Sequence, residues 1–421
     1  MTITIRSVTP FFLLLFLLTG AWAQTKKKTP KTVFFIVDGI PADVIQKINP
    51  PVLSEIAKEG GFTQAYVGGE KGGYSQTPTI SAVGYISLLT GTWVNKHNVW
   101  DNDIAAPNYS YWNIFRIAKK VNPALKTAIF STWLDNRTKL VGEGLEKAGA
   151  ITMDYKFDGL EHDTAKYPHD KASFYIHRID EAVSDEAARQ IAENGPDISW
   201  VYLEYTDDMG HRFGDSQQFY DAILMADKQI GKVWQVLKQR EKKFNEDWLI
   251  VVTTDHGRDA TTGKGHGGQS NRERSTWITT NSKHLNDRFK QTPGVVDILP
   301  SIANHMNISI PDSVLREIDG VPFIGAADLS DLKAEKKGDK IVLRWKNISQ
   351  NGTDKIEIFV SETNNFKEGG RDEYRKVGKA LTHQENFTFK LDRNVAFYKV
   401  VVKGPHHYAN AWVTDPAIIR K

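Results

Sequence analysis

The stretch Val33-Phe34-Phe35-Ile36-Val37-Asp38-Gly39 decides the fold. Five consecutive apolar residues without alternation, halted by an acid and a glycine, suit a strand buried on both faces. Two further segments repeat the pattern: Ile198–Tyr205 runs into Asp207-Asp208, and Trp248–Thr254 runs into Asp255-His256. Between them, Ala172–Asn194 and Gln217–Lys243 carry apolar residues at helical spacing with charged opposite faces. Thr127–Ser131 reads as another strand and Ala82–Thr90 as a helix. This alternation predicts an α/β fold built on a mostly parallel sheet between helices. Such sheets bind ligands beyond the carboxyl ends of their strands. Three strands ending in acids would therefore gather those acids along one rim.

Outward from this unit, the pattern changes near residue 326. Ile341-Leu343-Trp345, Ile356-Ile358-Val360, Phe387-Phe389-Leu391 and Tyr398-Val400-Val402 each place alternate apolar residues on one side, with turn chemistry at Asn351-Gly352 and Gly369-Gly370. About seven short strands in that length predict a small all-β sandwich. With Trp345 early and Tyr398 late, it resembles a fibronectin type III module. At the other end, Arg6, the apolar run Phe11–Leu18 and Ala21-Trp22-Ala23 before Gln24 form a basic, apolar and small-residue series. That series reads as a secretory signal peptide, and the apolar run is short for a membrane span. The expected organisation is a signal peptide at 1–23, the α/β domain at 24–326 and the sandwich at 327–421. The expected location is outside the cytoplasm, in a bacterial periplasm, at the cell surface or beyond it, with no membrane-spanning segment after cleavage.

Composition narrows the chemistry. The chain has 421 residues and a formal net charge of +3, with no long basic stripe, so a stable nucleic-acid complex is not expected. There is no cysteine, which removes disulfides, a thiol nucleophile and thiolate metal sites. Any metal must be held by histidine and carboxylate. Asp38, Asp207 and Asp255 with His211, His256 and His266 supply that mixed O/N set, which suits zinc and similar divalent ions. Singly each is weak, because a strand-end Asp often caps a helix and a lone His is more often structural. Their joint placement on the predicted rim carries the reading.

These residues resemble the alkaline phosphatase superfamily, and within it the type I phosphodiesterase/nucleotide pyrophosphatase branch. The matching pieces are Val33–Gly39, Pro78-Thr79-Ile80-Ser81 running to Thr90-Gly91, Asp207-x-x-Gly210-His211 and Thr254-Asp255-His256-Gly257, in the family's order across roughly residues 30–325. The resemblance implies two divalent metal ions, zinc by ligand type, with manganese or a mixed pair fitting similar donors. One ion would take Asp38, Asp255, His256 and the nucleophile, the other Asp207, His211 and His266. It implies Ser81 as nucleophile, where the family usually has threonine, with Thr79 and Thr77 as alternatives if the register slips. Asn102 falls on the family's phosphate-binding asparagine, at matching separation from Ser81. The implied reaction passes through a phosphoseryl intermediate that water hydrolyses, with preset charges stabilising the phosphoryl oxygens.

Substrate choice is less legible. Arg137 could lie over the phosphate, but the lysine expected beside it is Asp135, which tilts the reading towards small diesters or pyrophosphates with a nucleotide, lipid or sugar headgroup. Tyr74, Tyr85, Trp93, Trp100 and Trp133 could form an apolar wall, whereas His97, His162 and His169 read as structural or exposed. Alternatives are a phosphomonoesterase of the same fold and a non-catalytic binding or adhesion protein. A sulfatase would need a maturation motif that Ser81-Ala82-Val83-Gly84-Tyr85 lacks, and a phosphosugar mutase would not carry a signal peptide.

Overall fold

The computed structural model describes residues 1–4, 27–350 and 352–414. The leader features at Arg6, Phe11–Leu18 and Ala21-Trp22-Ala23, and the turn residue Asn351, lie outside the described residues. Seven strands form the main sheet: β1 Thr29–Val37, β2 Gly61–Tyr66, β3 Thr127–Ser131, β4 Tyr155–Phe157, β5 Ile198–Leu203, β6 Glu246–Thr253 and β7 Ser275–Thr280. Their order is β2-β7-β6-β1-β5-β3-β4. Strand β1 is central and parallel to both β5 and β6, while β7 runs antiparallel to β6 and β2. The sheet is therefore mixed, with one reversed strand near an edge. That strand reads Ser-Thr-Trp-Ile-Thr-Thr, and its threonines hide it from a search for aliphatic runs.

The continuous apolar strands are explained by two covered faces. Val33, Phe35 and Val37 of β1 pack with helices Ala42–Ile48, Pro51–Glu59, Phe174–Asn194 and Gln217–Lys243. Phe34 and Ile36 point the other way, into a core shared with helices Ser81–Thr90, Ile114–Val121 and Ile298–His305. Because β6, β1 and β5 are neighbours, their carboxyl ends deliver Asp255, Asp38 and the segment bearing Asp207 to one rim. One expected boundary shifts here. Tyr205 begins the helix Tyr205–Phe213 rather than ending β5, and that helix sets Asp207 and His211 one turn apart.

Seven further strands make two antiparallel sheets: β8 Leu329–Lys337, β9 Lys340–Asn347, β10 Lys355–Ser361, β11 Arg375–Leu381, β12 Asn386–Lys390, β13 Tyr398–Lys403 and β14 Tyr408–Val413. The orders are β12-β9-β8 and β11-β10-β13-β14. The alternating residues Ile341, Leu343, Trp345, Ile356, Ile358, Val360, Tyr398, Val400 and Val402 share one buried core. These sheets are fixed to the main sheet's layers by buried charge. Lys96 Nζ donates to Asp319 Oδ1 at 2.5 Å and to Asn410 Oδ1 of β14 at 2.7 Å. Lys399 of β13 donates to Glu317 at 2.8 Å and to Asp372 at 2.7 Å. Both lysines are fully buried, so each depends on these acceptors to offset its desolvation. No helix among the described residues is long and apolar enough to cross a membrane.

Candidate active site

Ser81 is the first residue of the helix Ser81–Thr90, and the preceding Ile80 is its N-cap in extended conformation with no side-chain capping bond. The Ser81 hydroxyl is therefore not spent on capping. Its Oγ stands 3.3 Å from His256 Nε2. The helix lies hard against Asp255, and a β-carbon at residue 84 would come within 2.8 Å of the Asp255 β-carbon, so Gly84 permits the approach. The Ala82 N–H donates to Asn102 Oδ1 at 3.0 Å, which brings Asn102 to the helix start beside Ser81.

Three carboxylates share one design. Each has one oxygen held by the protein and the other turned into the cluster. Asp38 Oδ2 accepts from the hydroxyls of Tyr85 and Tyr202, while its Oδ1 is buried with no partner among the described residues. Asp255 Oδ1 accepts from the Gly39 N–H at 3.1 Å, while its buried Oδ2 has no hydrogen-bond partner among the described residues. Asp207 Oδ1 is paired with the Arg258 guanidinium, while its Oδ2 stands 3.2 Å from His211 Nε2. His256 Nε2 lies 3.4 Å from Asp38 Oδ1 and 3.2 Å from Asp255 Oδ2.

The histidine tautomers follow from their second nitrogens. His256 Nδ1 is 2.9 Å from the Gly257 carbonyl and His266 Nδ1 is 2.9 Å from the Thr79 carbonyl. A carbonyl only accepts, so each Nδ1 carries the proton and each Nε2 presents a lone pair. Lone pairs of His256, Asp38 and Asp255 thus face one another across a few ångströms, which is unfavourable without a cation between them. His266 Nε2 and His211 Nε2 lie 3.0 Å apart, and with Asp207 they form a second group whose N and O atoms lie within ligand reach of one another. Asp207 also lies within ligand reach of Asp38 and His256, so it stands between the two groups.

The electrostatics agree. Burial, then the charges of Asp255 and Asp207, pushes Asp38 well above the usual carboxylate range. Burial and then Asp207 raise Asp255 to about 7. Asp207 moves the other way: burial opposes its charge, but the His211 hydrogen bond and the Arg258 charge hold it far down. Burial, then its neighbour His266, keeps His256 neutral. Among the described residues, three clustered carboxylates share one full-time protein cation, Arg258. Orphaned buried oxygens, imidazole lone pairs and excess negative charge together fit divalent cations.

Several of these supports were not among the sequence candidates. Arg258 is fully buried and also donates to the carbonyls of Gly39 (2.9 Å), Lys264 (3.0 Å) and Asp207 (2.9 Å). Its guanidinium passes over Gly210, where any β-carbon would collide with it. Its place directly after Asp255-His256-Gly257 was the available signal. Thr79, an alternative nucleophile, holds the histidine loop instead: its Oγ1 donates to the Gly268 carbonyl and accepts from the Gly267 N–H, both at 2.9 Å. Thr77 is likewise occupied, by Ser75 and Val94.

Other candidates are placed elsewhere. The Arg137 guanidinium is gripped by Asp158 at 2.6 and 2.8 Å and by Glu143 at 2.5 Å, and it makes no contact with the cluster. Asp135 pairs with Lys139 at 2.8 Å. Of the five aromatic residues, Tyr85 serves the site through its hydroxyl rather than as an apolar wall. Tyr74 stacks on Trp412 and Trp93 packs on Tyr66. Trp133 meets the Tyr85 ring edge-on, and the Trp100 indole donates to Asn98. His97 is buried against Ser87, His162 is exposed, and His169 stacks on Tyr175.

Residues 32–357 match the family model described as type I phosphodiesterase / nucleotide pyrophosphatase. The chain is 22% identical over 247 residues to ectonucleotide pyrophosphatase/phosphodiesterase family member 1 of Homo sapiens, an alignment covering 55% of this chain and 24% of that one. It is 24% identical over 196 residues to the venom phosphodiesterase of Naja atra, covering 44% of this chain and 21% of that one. The chain thus spans about a quarter of the length of the curated relatives it matches. Among solved structures, Ps i-CgsB shares the fold with a TM-score of 0.50 at 15% identity, covering 76% of this chain and 86% of that one.

Proposed function

We propose, from the premise that the chain belongs to the type I phosphodiesterase/nucleotide pyrophosphatase family, that it is an exported hydrolase of small phosphodiesters or pyrophosphates, nucleotides foremost. The catalytic part would comprise residues 24–326 and the C-terminal sheets residues 327–421. The observation that carries the reading is the meeting of Asp38 Oδ1, Asp255 Oδ2 and His256 Nε2 with the uncommitted Ser81 hydroxyl.

In this reading Asp38, Asp255 and His256, with Ser81, would hold one divalent cation, and Asp207, His211 and His266 would hold a second, zinc being the ion that best suits the donors. When bound, the two cations neutralise the carboxylates, favour the alkoxide of Ser81 and take up charge on the phosphoryl oxygens. Ser81 Oγ attacks phosphorus, and the bond to the leaving group breaks as the serine–phosphorus bond forms. The Asn102 amide, fixed through its Oδ1 by the Ala82 N–H, has its Nδ2 donor for a phosphoryl oxygen. Asp207, His211 and His266 lie on the leaving-group side. Water then cleaves the phosphoseryl ester and restores the serine hydroxyl. Diesters are favoured over monoesters because the Arg137 charge is spent on Asp158 and Glu143 rather than on a doubly charged phosphate.

The test is hydrolysis of a matched chromogenic pair, a phosphodiester and a phosphomonoester with one leaving group, with and without chelator. The expected result is a diester preference that chelation abolishes and zinc restores. A monoester preference overturns the substrate assignment, and activity on neither with metal bound overturns the hydrolase reading.

A further inference from the structure

We propose that Tyr85 and Tyr202 are positioning residues that fix which oxygen of Asp38 faces the cation, an inference that rests on the metal reading above. Asp38 Oδ2 receives both phenol hydroxyls, the Tyr202 oxygen lying 2.8 Å away. The two hydroxyl oxygens are also 2.8 Å from each other. Each phenol has a single proton, so two protons must serve three close contacts. With Asp38 ionised, both protons point to Oδ2, and the hydroxyl–hydroxyl contact is the result of sharing one acceptor.

The rings that carry these hydroxyls cannot shift. Tyr85 is fully buried, its ring edge-on to Trp133 and Trp200, and its centroid is 4.9 Å from that of Tyr202. Rotating the Asp38 carboxylate would break two hydrogen bonds inside a packed core, so Oδ1 stays turned inward, buried and without a partner. Asp38 then offers one oxygen, not two. Tyr85 also sits one helical turn after Ser81 on the same helix, so a single hydrogen bond ties the serine's helix to the ligand at the end of β1. The other two carboxylates are pinned differently, Asp255 by the backbone of Gly39 and Asp207 by Arg258. The tyrosine pair is therefore a side-chain device particular to Asp38. Outer hydrogen bonds of this kind orient a ligand and tune its metal.

The test uses the full-length protein with Y85F, Y202F and the double variant Y85F/Y202F, each losing a hydroxyl without altering the ring. Zinc affinity and stoichiometry are read by competition with a chromogenic chelator, ligand geometry by the visible spectrum of the cobalt-substituted protein, and folding by urea unfolding of the metal-free chain. The expected result is two ions per chain with one site weakened about 10–100-fold, a changed cobalt spectrum, and a fall in kcat with little change in KM. The single variants carry the test if the double variant does not fold. Unchanged zinc affinity and cobalt spectrum in the variants, beside a wild type that binds two ions, overturns this inference alone. A wild type that takes up no divalent cation overturns the metal reading and this inference with it.

Discussion

His256 and His266 stack ring on ring, with centroids 3.8 Å apart and planes 15° from parallel. One follows β6 and the other lies on a glycine-bearing loop held by Thr79. Each sends its Nδ1 proton outward to a backbone carbonyl, so both Nε2 lone pairs face the carboxylates. This contact joins the group of Asp38, Asp255 and His256 to the group of Asp207, His211 and His266.

Asp255→Ala removes an inward oxygen that nothing else replaces. The expected outcome is loss of one metal ion per chain by elemental analysis and a fall in turnover on the order of 10³-fold or more. Full metal content in the variant would count against the assignment. In the wild type, Asp38 and Asp255 have folded-state pKa values raised above their unfolded values. Without metal, stability from these groups is present at low pH and is lost as pH rises from about 4 towards 7. Added zinc should therefore raise the melting temperature more at pH 8 than at pH 5.

Ser81→Ala and Thr79→Val separate the nucleophile from its neighbour. Ser81→Ala is expected to keep both metal ions yet form no phosphoenzyme in acid-quenched mass spectra, with turnover down by several orders of magnitude. Thr79→Val loosens the Gly267-Gly268 loop that carries His266 and weakens metal binding, but still forms the phosphoenzyme. A phosphorylated Thr79 in the Ser81→Ala chain would reassign the nucleophile.

Arg258→Met tests the lone buried cation of the cluster. It leaves Asp207 without its charge partner and four acceptor contacts unfilled, so the metal-free chain should lose about 3–5 kcal/mol in urea unfolding. Loss below 1 kcal/mol would show that Asp207 does not depend on this pair.

His97 gives a pH test away from the cluster. It is buried against Ser87, and burial lowers its pKa to about 3. Its folded value lies below the unfolded one, so the stability it permits is full above about pH 6.5 and is lost as pH falls towards 3. Between pH 7 and pH 5 the wild type should lose about 2 kcal/mol more than His97→Asn. Equal slopes for the two proteins would place the proton elsewhere.

Much of this was legible in the chain itself. Val33–Val37, Ile198–Leu203 and Trp248–Thr253 announce buried strands because two covered faces demand unbroken apolar residues. The acids that follow them mark the rim. Strand β7 escaped because its run Ser-Thr-Trp-Ile-Thr-Thr is not aliphatic although all of it but Ser275 is buried; Thr280 Oγ1 offsets its own burial by donating to the Ile250 carbonyl at 2.8 Å. Tyr205 reads as a strand residue from its aromatic side chain, although the helix Tyr205–Phe213 begins there. Arg137 looked available as a phosphate clamp because its partners Asp158 and Glu143 come from separate turns of the chain.

By itself the sequence determined the α/β order, the alternating pattern of the C-terminal strands, and the mixed set of six acids and imidazoles that follow the strands. Those follow from local periodicity and residue chemistry, which act within a few residues. Only the tertiary structure decided which oxygen of each carboxylate turns inward, which histidine nitrogen keeps its proton, and that Asp207 stands between both groups. Each of those depends on a donor or acceptor brought from a distant strand, helix or loop: Tyr85 and Tyr202 for Asp38, Gly39 for Asp255, Arg258 for Asp207, Thr79 for His266. Hydrogen bonds are directional and act over about 3 Å, so these choices exist only once the chain has folded.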